Sequence, residues 1–341
     1  MSEYLRIAID AMGGDNAPGE IVKGAVLSLS DQKNIKIVLV GREDEVNAEL
    51  AKYSDYDKDR IEVVHAPTVI DINESPTAEV RRKKDSSMVV AMNLYKEGKV
   101  DCVASAGSTG ALFVCGTTIV KRIRGIERTP LAPVIPTAGG LSLLVDSGAN
   151  VDARPECFVQ YAQMGSIYME KVLGVKNPRV GLVNIGVEEE KGNQQVKAAF
   201  ELLKECPDIN FIGNVEAREI PNGVCDVIVC DAFVGNVILK LYEGTAKALV
   251  KIIKGGLMES VRGKIGGLLV KKPLKKTLKT FDASEYGGAP FLGLSGLVVK
   301  MHGSSKHKDV RSAIKQCVLF NEQNIPELYR VNIAEKAKNN D

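Results

Sequence analysis

LRIAIDAMGGDNAPGE, residues 5–20, sets a short apolar run ahead of a glycine turn and a proline suited to a helix start. Leu5, Ile7 and Ile9 flank Ala8, the run ends at Asp10, and Gly13, Gly14, Asp15 and Pro18 follow. Strand, glycine turn and helix in that order is how α/β proteins build phosphate sites. Neither G-x-G-x-x-G nor G-x-x-x-x-G-K-[ST] can be read here or elsewhere in the chain, so this turn does not cradle a dinucleotide or a nucleoside triphosphate in the usual way.

The rest of the chain repeats the pattern. Apolar, β-branched runs at 35–40, 61–65, 101–106, 131–137, 141–146, 179–185, 209–214 and 225–231 alternate with helical segments such as 85–97, 155–173 and 193–205. Near-continuous apolar strands separated by helices predict an α/β fold, a mostly parallel sheet layered with helices on both faces. Ligands of such sheets bind at the carboxyl ends of strands. Those ends carry MGGD, SAGSTGA, SGANVDARP, IGVEEEKGN, GNVEARE and AFVGN, six loops expected to gather on one edge as a nest of backbone N–H groups. Ordinary turn chemistry uses the same residue types. The site candidates among them are Gly13, Gly14 and Asp15; Ser105, Gly107, Ser108 and Thr109; Asn184, Gly186 and Asn193; and Asp231 and Gly235.

A length of 341 residues allows two domains or one large α/β unit. With 45 basic against 43 acidic residues the net charge is +2, which argues against a nucleic-acid partner held by bulk charge. Seven scattered cysteines without C-x-x-C predict free thiols, a cytoplasmic setting and no metal. The start has no signal-peptide pattern. The uncharged stretch Cys102–Val120 contains three Gly, two Ser and three Thr, and reads as strand, loop and buried helix rather than a membrane span.

Chemistry-bearing residues are few. His302, in MHGSS with Ser304 and Ser305, could exchange a proton beside an anion held by nearby N–H groups, or be structural. Lys191, in EEEKGN, could hold an anion or merely balance Glu188, Glu189 and Glu190. Asn236, in VGNVILK, could donate to a developing oxyanion or cap its helix. No G-x-S-x-G elbow, HExxH or cysteine–histidine nucleophile setting is present. A substrate is therefore expected to supply the nucleophile, as inorganic phosphate can once positioned.

Together IAIDAMGGDNAP, VRRKKDSSM, SAGSTGAL, LAPVIPT, DSGANVDARPE, QYAQMGSIY, GLVNIGVEEEKGN, NFIGNVEAR, DVIVCDAFVGNVILK, YGGAPFLGL and HGSS resemble the bacterial phosphate acyltransferases of phospholipid synthesis, in family order from about residue 5 to about 325. The resemblance implies acyl transfer from a fatty acyl-[acyl-carrier-protein] to inorganic phosphate, without a cofactor, giving acyl phosphate for a membrane glycerol 3-phosphate acyltransferase. It also implies a fold like the phosphotransacetylases and, more distantly, the isocitrate and isopropylmalate dehydrogenases. GAPFLGLSGLVVKMHGSSKHKDV resembles the closing segment of phosphotransacetylases, with His302 and Asp309 at the places of a serine and an aspartate that serve the reaction there. Asp309 also suits a helix N-terminus. Two other functions stay open: a short-chain acyl-coenzyme A phosphotransacylase, and a non-catalytic peripheral membrane scaffold.

Residues 1–233 and 282–330 are expected to form the catalytic α/β domain, with 234–281 inserted as two long helices parted near Gly263–Gly267, and 331–341 as a frayed tail. Ile238, Leu241, Ala248, Leu249, Ile252 and Ile253 recur at helical spacing, which predicts a homodimer seam. From 255 to 281, seven basic residues face one acid, while Leu257, Met258, Val261, Ile265, Leu268 and Leu269 make an apolar stripe. That pattern predicts reversible contact with the inner face of the cell membrane through Leu268, Leu269, Lys271 and Lys272, or else a dimer helix with a solvated basic face. Arg81, Arg82, Lys83 and Lys84 are candidates for docking the acidic acyl carrier protein, although such a run is often just a solvated face.

Overall fold

Two sheets, not one, take up the apolar runs. The computed structural model describes residues 4–71, 73–280 and 288–335, with backbone only at 274–280 and 334. Its first part contains β1 (Leu5–Asp10), α1 (Gly19–Asp31), β2 (Ile35–Gly41), α2 (Glu43–Leu50), β3 (Ile61–His65), α3 (Pro76–Arg82), α4 (Ser87–Lys96), β4 (Cys102–Ser105) and α5 (Thr109–Cys115). The middle contains β5 (Val134–Thr137), β6 (Gly140–Val145), α6 (Pro155–Lys171), β7 (Arg179–Asn184), α7 (Gln194–Glu205), β8 (Asn210–Glu216), β9 (Val227–Val229), α8 (Ala232–Met258) and α9 (Val261–Thr280). The chain then returns through β10 (Ala289–Pro290), β11 (Leu297–Lys300), α10 (His307–Glu322) and α11 (Ile325–Tyr329).

The first sheet runs β10-β11-β4-β1-β2-β3 and the second β5-β6-β9-β7-β8. Only the edge strands β10 and β5 pair antiparallel. These edges stitch the sheets together: Leu131 bridges Phe291, and the Ala132 N–H donates to Pro290 O at 3.0 Å. One apolar core then spans both, with Ile7 and Ile9 of β1, Val145 of β6, Val229 of β9 and Tyr161 of α6. Ala8, Val103 and Val298 pack on the opposite face of the first sheet, against Met88 and Leu112. Burial on both faces is why these strands read as unbroken apolar runs.

The six glycine-rich loops expected on one edge are divided between two sheets. The loops after β1, β4 and β11 leave the first sheet, and those after β6, β7, β8 and β9 leave the second. The long helices are also parted elsewhere than expected, at Glu259–Ser260, while Gly263, Gly266 and Gly267 lie inside α9. The cause is local: Ser260 Oγ accepts from the Gly263 N–H at 2.9 Å, a hydroxyl cap that starts the new helix. The 27 residues of α8 reach about 40 Å. Phe281, residues 282–287 and the tail from 336 onward lie outside the described residues. No described helix is long and apolar enough to cross a membrane.

Candidate active site

The glycines of the opening stretch let three loops touch. Gly14 has φ +92°, and a Cβ there would stand 2.8 Å from Gly303 O and 2.9 Å from Ala106 Cβ. A Cβ on Gly13 would stand 2.6 Å from Asp10 Oδ2 and 2.7 Å from the Gly107 nitrogen. Only a residue without a side chain permits such approach. Hydrogen bonds then hold the loops: the Asp15 N–H donates to Gly303 O at 2.8 Å, and Asn16 Nδ2 donates to the carbonyls of Ser304 and Ser305 at 3.0 and 3.1 Å. The MGGDN, SAGST and HGSS segments thus form one cluster at the carboxyl edge of the first sheet.

Beneath it lies a buried polar network. Ser105 Oγ donates to Asp10 Oδ2 at 2.6 Å and accepts from the Gly107 N–H at 3.0 Å, while the Met12 N–H donates to Asp10 Oδ1 at 3.2 Å. Burial pushes the Asp10 carboxyl above its ordinary range, against the opposing pull of Ser105, Ser87 and the Met12 and Gly13 N–H groups. Lys300, the last residue of β11, sends its ammonium to the carbonyls of Ala106, at 3.4 Å, and Met301. Burial brings that ammonium down to about 8, helped by Lys240 of α8 and resisted by Asp10 and Asp15.

His302 is exposed on the same cluster. Its Nδ1 accepts from the Ser304 N–H at 3.1 Å and meets Ser304 Oγ at 2.8 Å. A backbone N–H can only donate, so Nδ1 is the acceptor in that bond, and a neutral ring so held carries its proton on Nε2. Ser304 thereby positions the ring, and Ser305, whose N–H donates to His302 O at 3.0 Å, is buried. Asp309 is a helix residue, its Oδ2 accepting from the Lys306 N–H at 2.6 Å in a capping box at the start of α10.

Most second-sheet candidates have local duties. Asn184 Oδ1 accepts from the Ile185 N–H and its Nδ2 donates to Lys191 O at 3.0 Å, closing the loop that carries Gly186 and Lys191. Asn193 caps α7, Asp231 caps α8 and Ser108 caps α5, of which Thr109 is the first residue. Because Asp231 fills the cap of α8, Asn236 is left exposed one turn along it. The exposed Lys191 and Asn236 make no hydrogen bond or ion pair with His302 among the described residues. The DSGAN loop is closed to ligands: the N–H groups of Gly148, Ala149 and Asn150 all donate to the Asp146 carboxylate. Gly235 seats α8 on that turn, since a Cβ there would come 1.9 Å from Asp146 O.

In the basic run, Arg82 and Lys83 are bound to the buried Glu79, and Lys83 also donates to Val69 O at 2.9 Å. Lys83, the Asp71 N–H and Arg82 hold the Glu79 carboxyl down to about 2. Arg81 and Lys84 are exposed. Leu268 and Leu269 on α9 are 73% and 76% exposed, beside exposed Lys271 and Lys272. A cavity of about 610 Å³ lined by Tyr95, Asp101, Lys121 and Phe320 lies at the amino ends of β4 and β11, away from the glycine loops. Sequence reasoning passed over Asp10, Ser87 and Lys300. Asp10 was visible as a charge ending an apolar run, but its alignment with Ser105 and Lys300 depends on which strands pair.

The family model described as "Fatty acid synthesis protein" matches residues 5–328. A phosphate acyltransferase from Clostridium acetobutylicum is 51% identical over 319 residues, covering 94% of this chain and 96% of that protein. One from Clostridium botulinum is 49% identical over 334 residues, covering 98% and 99%. A phosphotransacetylase from Streptococcus pyogenes shares the fold, with a TM-score of 0.61 over 96% of this chain and 95% of that one at 18% identity. Near-complete coverage at about half identity places the chain in the phosphate acyltransferase family, as a transferase enzyme.

Proposed function

We propose that the protein catalyses attack of inorganic phosphate on the thioester of a fatty acyl-[acyl-carrier-protein], giving acyl phosphate for glycerol 3-phosphate acylation in phospholipid synthesis. A lone pair on hydrogen phosphate forms the new acyl C–O bond, the C–S bond breaks with its electrons going to sulfur, and the proton of hydrogen phosphate ends on the carrier-protein thiol. The observation that carries this reading is the three-loop cluster, which sets the exposed His302 against the glycine turns at the carboxyl edge of the first sheet. His302 would assist the leaving thiol, Lys191 would bring a point charge to phosphate, and Asn236 would donate to the oxyanion. A direct attack is supported by the thiols: six of seven cysteines are buried, and burial pushes Cys115 and Cys225 up to about 12.

A coupled thiol-release assay tests the reading, comparing acyl-carrier-protein and short-chain acyl-coenzyme A substrates with and without phosphate. Phosphate-dependent release from the carrier-protein substrate, with acyl phosphate as product, is expected. Preference for the short-chain coenzyme A ester, or no release from either, overturns it. His302→Ala should lower kcat by about 10²-fold.

The hairpin α8–α9 would join two copies and touch anionic lipid, so that the greasy product forms beside a membrane glycerol 3-phosphate acyltransferase. Supporting this, Leu241 and Ile252 are 68% and 70% exposed on α8, and Leu268 and Leu269 remain uncovered on α9. Light scattering should return a dimer mass, and wild-type protein should float with anionic vesicles while Leu268→Glu with Leu269→Glu does not. Carrier-protein docking would fall to Arg81 and Lys84 more than to Arg82 and Lys83, which Glu79 already engages. Reversing Arg81 and Lys84 should raise KM for the carrier-protein substrate.

A further inference from the structure

Strand register puts a cation where no local motif announced one. Lys300 pairs with Ser105 across β11 and β4, and Ser105 lies one step beyond the Ile9–Ala104 pair of β4 and β1. Asp10, Ser105 and Lys300 therefore stand in a row across three neighbouring strands, on the face that also carries Ala8, Val103 and Val298. The Lys300 side chain is half-buried, yet its hydrogen-bond partners among the described residues are two neutral carbonyls, of Ala106 and Met301. One of those carbonyls belongs to the SAGST turn against which Gly14 packs. Asp10 and Asp15 of the first loop favour the charged ammonium, and the positive charge of Lys240, on α8 of the second sheet, opposes it. Desolvated ammonium is unfavourable unless an anion compensates it, and burial without a bound carboxylate leaves that place to a ligand.

We propose that Lys300 is a further cation that seats inorganic phosphate, beside the point charge given to Lys191, with Lys240 adding a weaker positive field from α8. The assignment rests on the acyl-to-phosphate reading above. Lys300 lies at the floor of the three-loop cluster, so phosphate held there is flanked by the His302 loop and by the glycine turns. Lys240 is exposed and ion-paired with Glu243 at 3.2 Å, so its contribution is the smaller one. Binding a dianion beside Lys300 favours its charged form, and near pH 8 the protein takes up a proton as the anion enters.

Two measurements test this. In steady-state assays, Lys300→Met should lower kcat/KM for phosphate by on the order of 10²-fold, leave KM for the acyl substrate nearly unchanged, and be partly rescued by Lys300→Arg. In titration calorimetry with sulfate, an anion that does not itself titrate near pH 8, wild-type protein should take up a proton when run in buffers of different ionisation heat. Lys300→Arg keeps the charge but does not titrate, so it should bind sulfate without proton uptake. This variant decides the matter even where Lys300→Met fails to fold. Proton uptake unchanged in Lys300→Arg, or an unchanged phosphate KM in a folded Lys300→Met, overturns the proposal. If wild-type protein makes no acyl phosphate at all, the broader functional reading fails instead, and the sulfate titration still reports on Lys300.

Discussion

Asp10 and Asp146 invite comparison: each lies at the carboxyl end of an apolar strand, one in each sheet, and each is buried. Burial raises both carboxyl groups above their ordinary range. Their partners differ. Asp146 accepts from the N–H groups of Leu131, Gly148, Ala149 and Asn150 and from Asn150 Nδ2, and α8 seals the turn through Gly235. Asp10 is held in part by the hydroxyls of Ser105 and Ser87, which can turn to donate or accept, and its loop stays open to the site. Fixed N–H donors demand a carboxylate and close a loop; hydroxyl partners tolerate a change of protonation and leave it usable.

Asp146→Asn should break the closed turn, because an amide must set its NH2 against N–H groups that also donate. A loss of about 3 kcal/mol or more is expected in denaturant unfolding, and a change under about 1 kcal/mol would erase the distinction between the two carboxylates. Gly235→Ala should come next, at about 1–3 kcal/mol, since the new methyl collides with Asp146 O and displaces α8. Activity should fall with it, as α8 carries Asn236 and Lys240.

Asp10→Asn should change stability at neutral pH by less than about 1 kcal/mol. Its clearer effect is on pH dependence. A carboxyl whose folded pKa is raised keeps its proton in the folded state after the unfolded chain has lost it, so the wild-type protein loses stability as pH rises from near 3.8 toward the folded value. Melting curves of Asp10→Asn across that range should show a shallower fall. The smallest effect belongs to Glu20→Gln at the α1–α10 seam, where Glu20 accepts from the His307 N–H and pairs with its ring at 2.7 Å. These contacts lower the Glu20 carboxyl, so their contribution is present above its unfolded pKa and lost as pH falls through the folded one. At most about 1 kcal/mol should vanish, mainly at neutral pH.

The amino-acid sequence by itself determined the strands, the helices between them and the glycine turns, because periodicity, turn residues and caps act over a few neighbours. β3 ends at His65 as read, and α6 begins at the expected Pro155. In the letters Asp231 and Asn193 are ligand candidates, with a cap weighed for Asn236 instead, but the Val234 and Val196 N–H groups bind Asp231 and Asn193 as helix caps. Tertiary structure alone decided that the runs split into two sheets, that the DSGAN nest fills itself, and that Lys300 stands in a row with Ser105 and Asp10. The physical reason is strand pairing across long stretches of chain: β11 lies beside β4 only after the whole second sheet and the α8–α9 hairpin have been built, and no local pattern encodes that register.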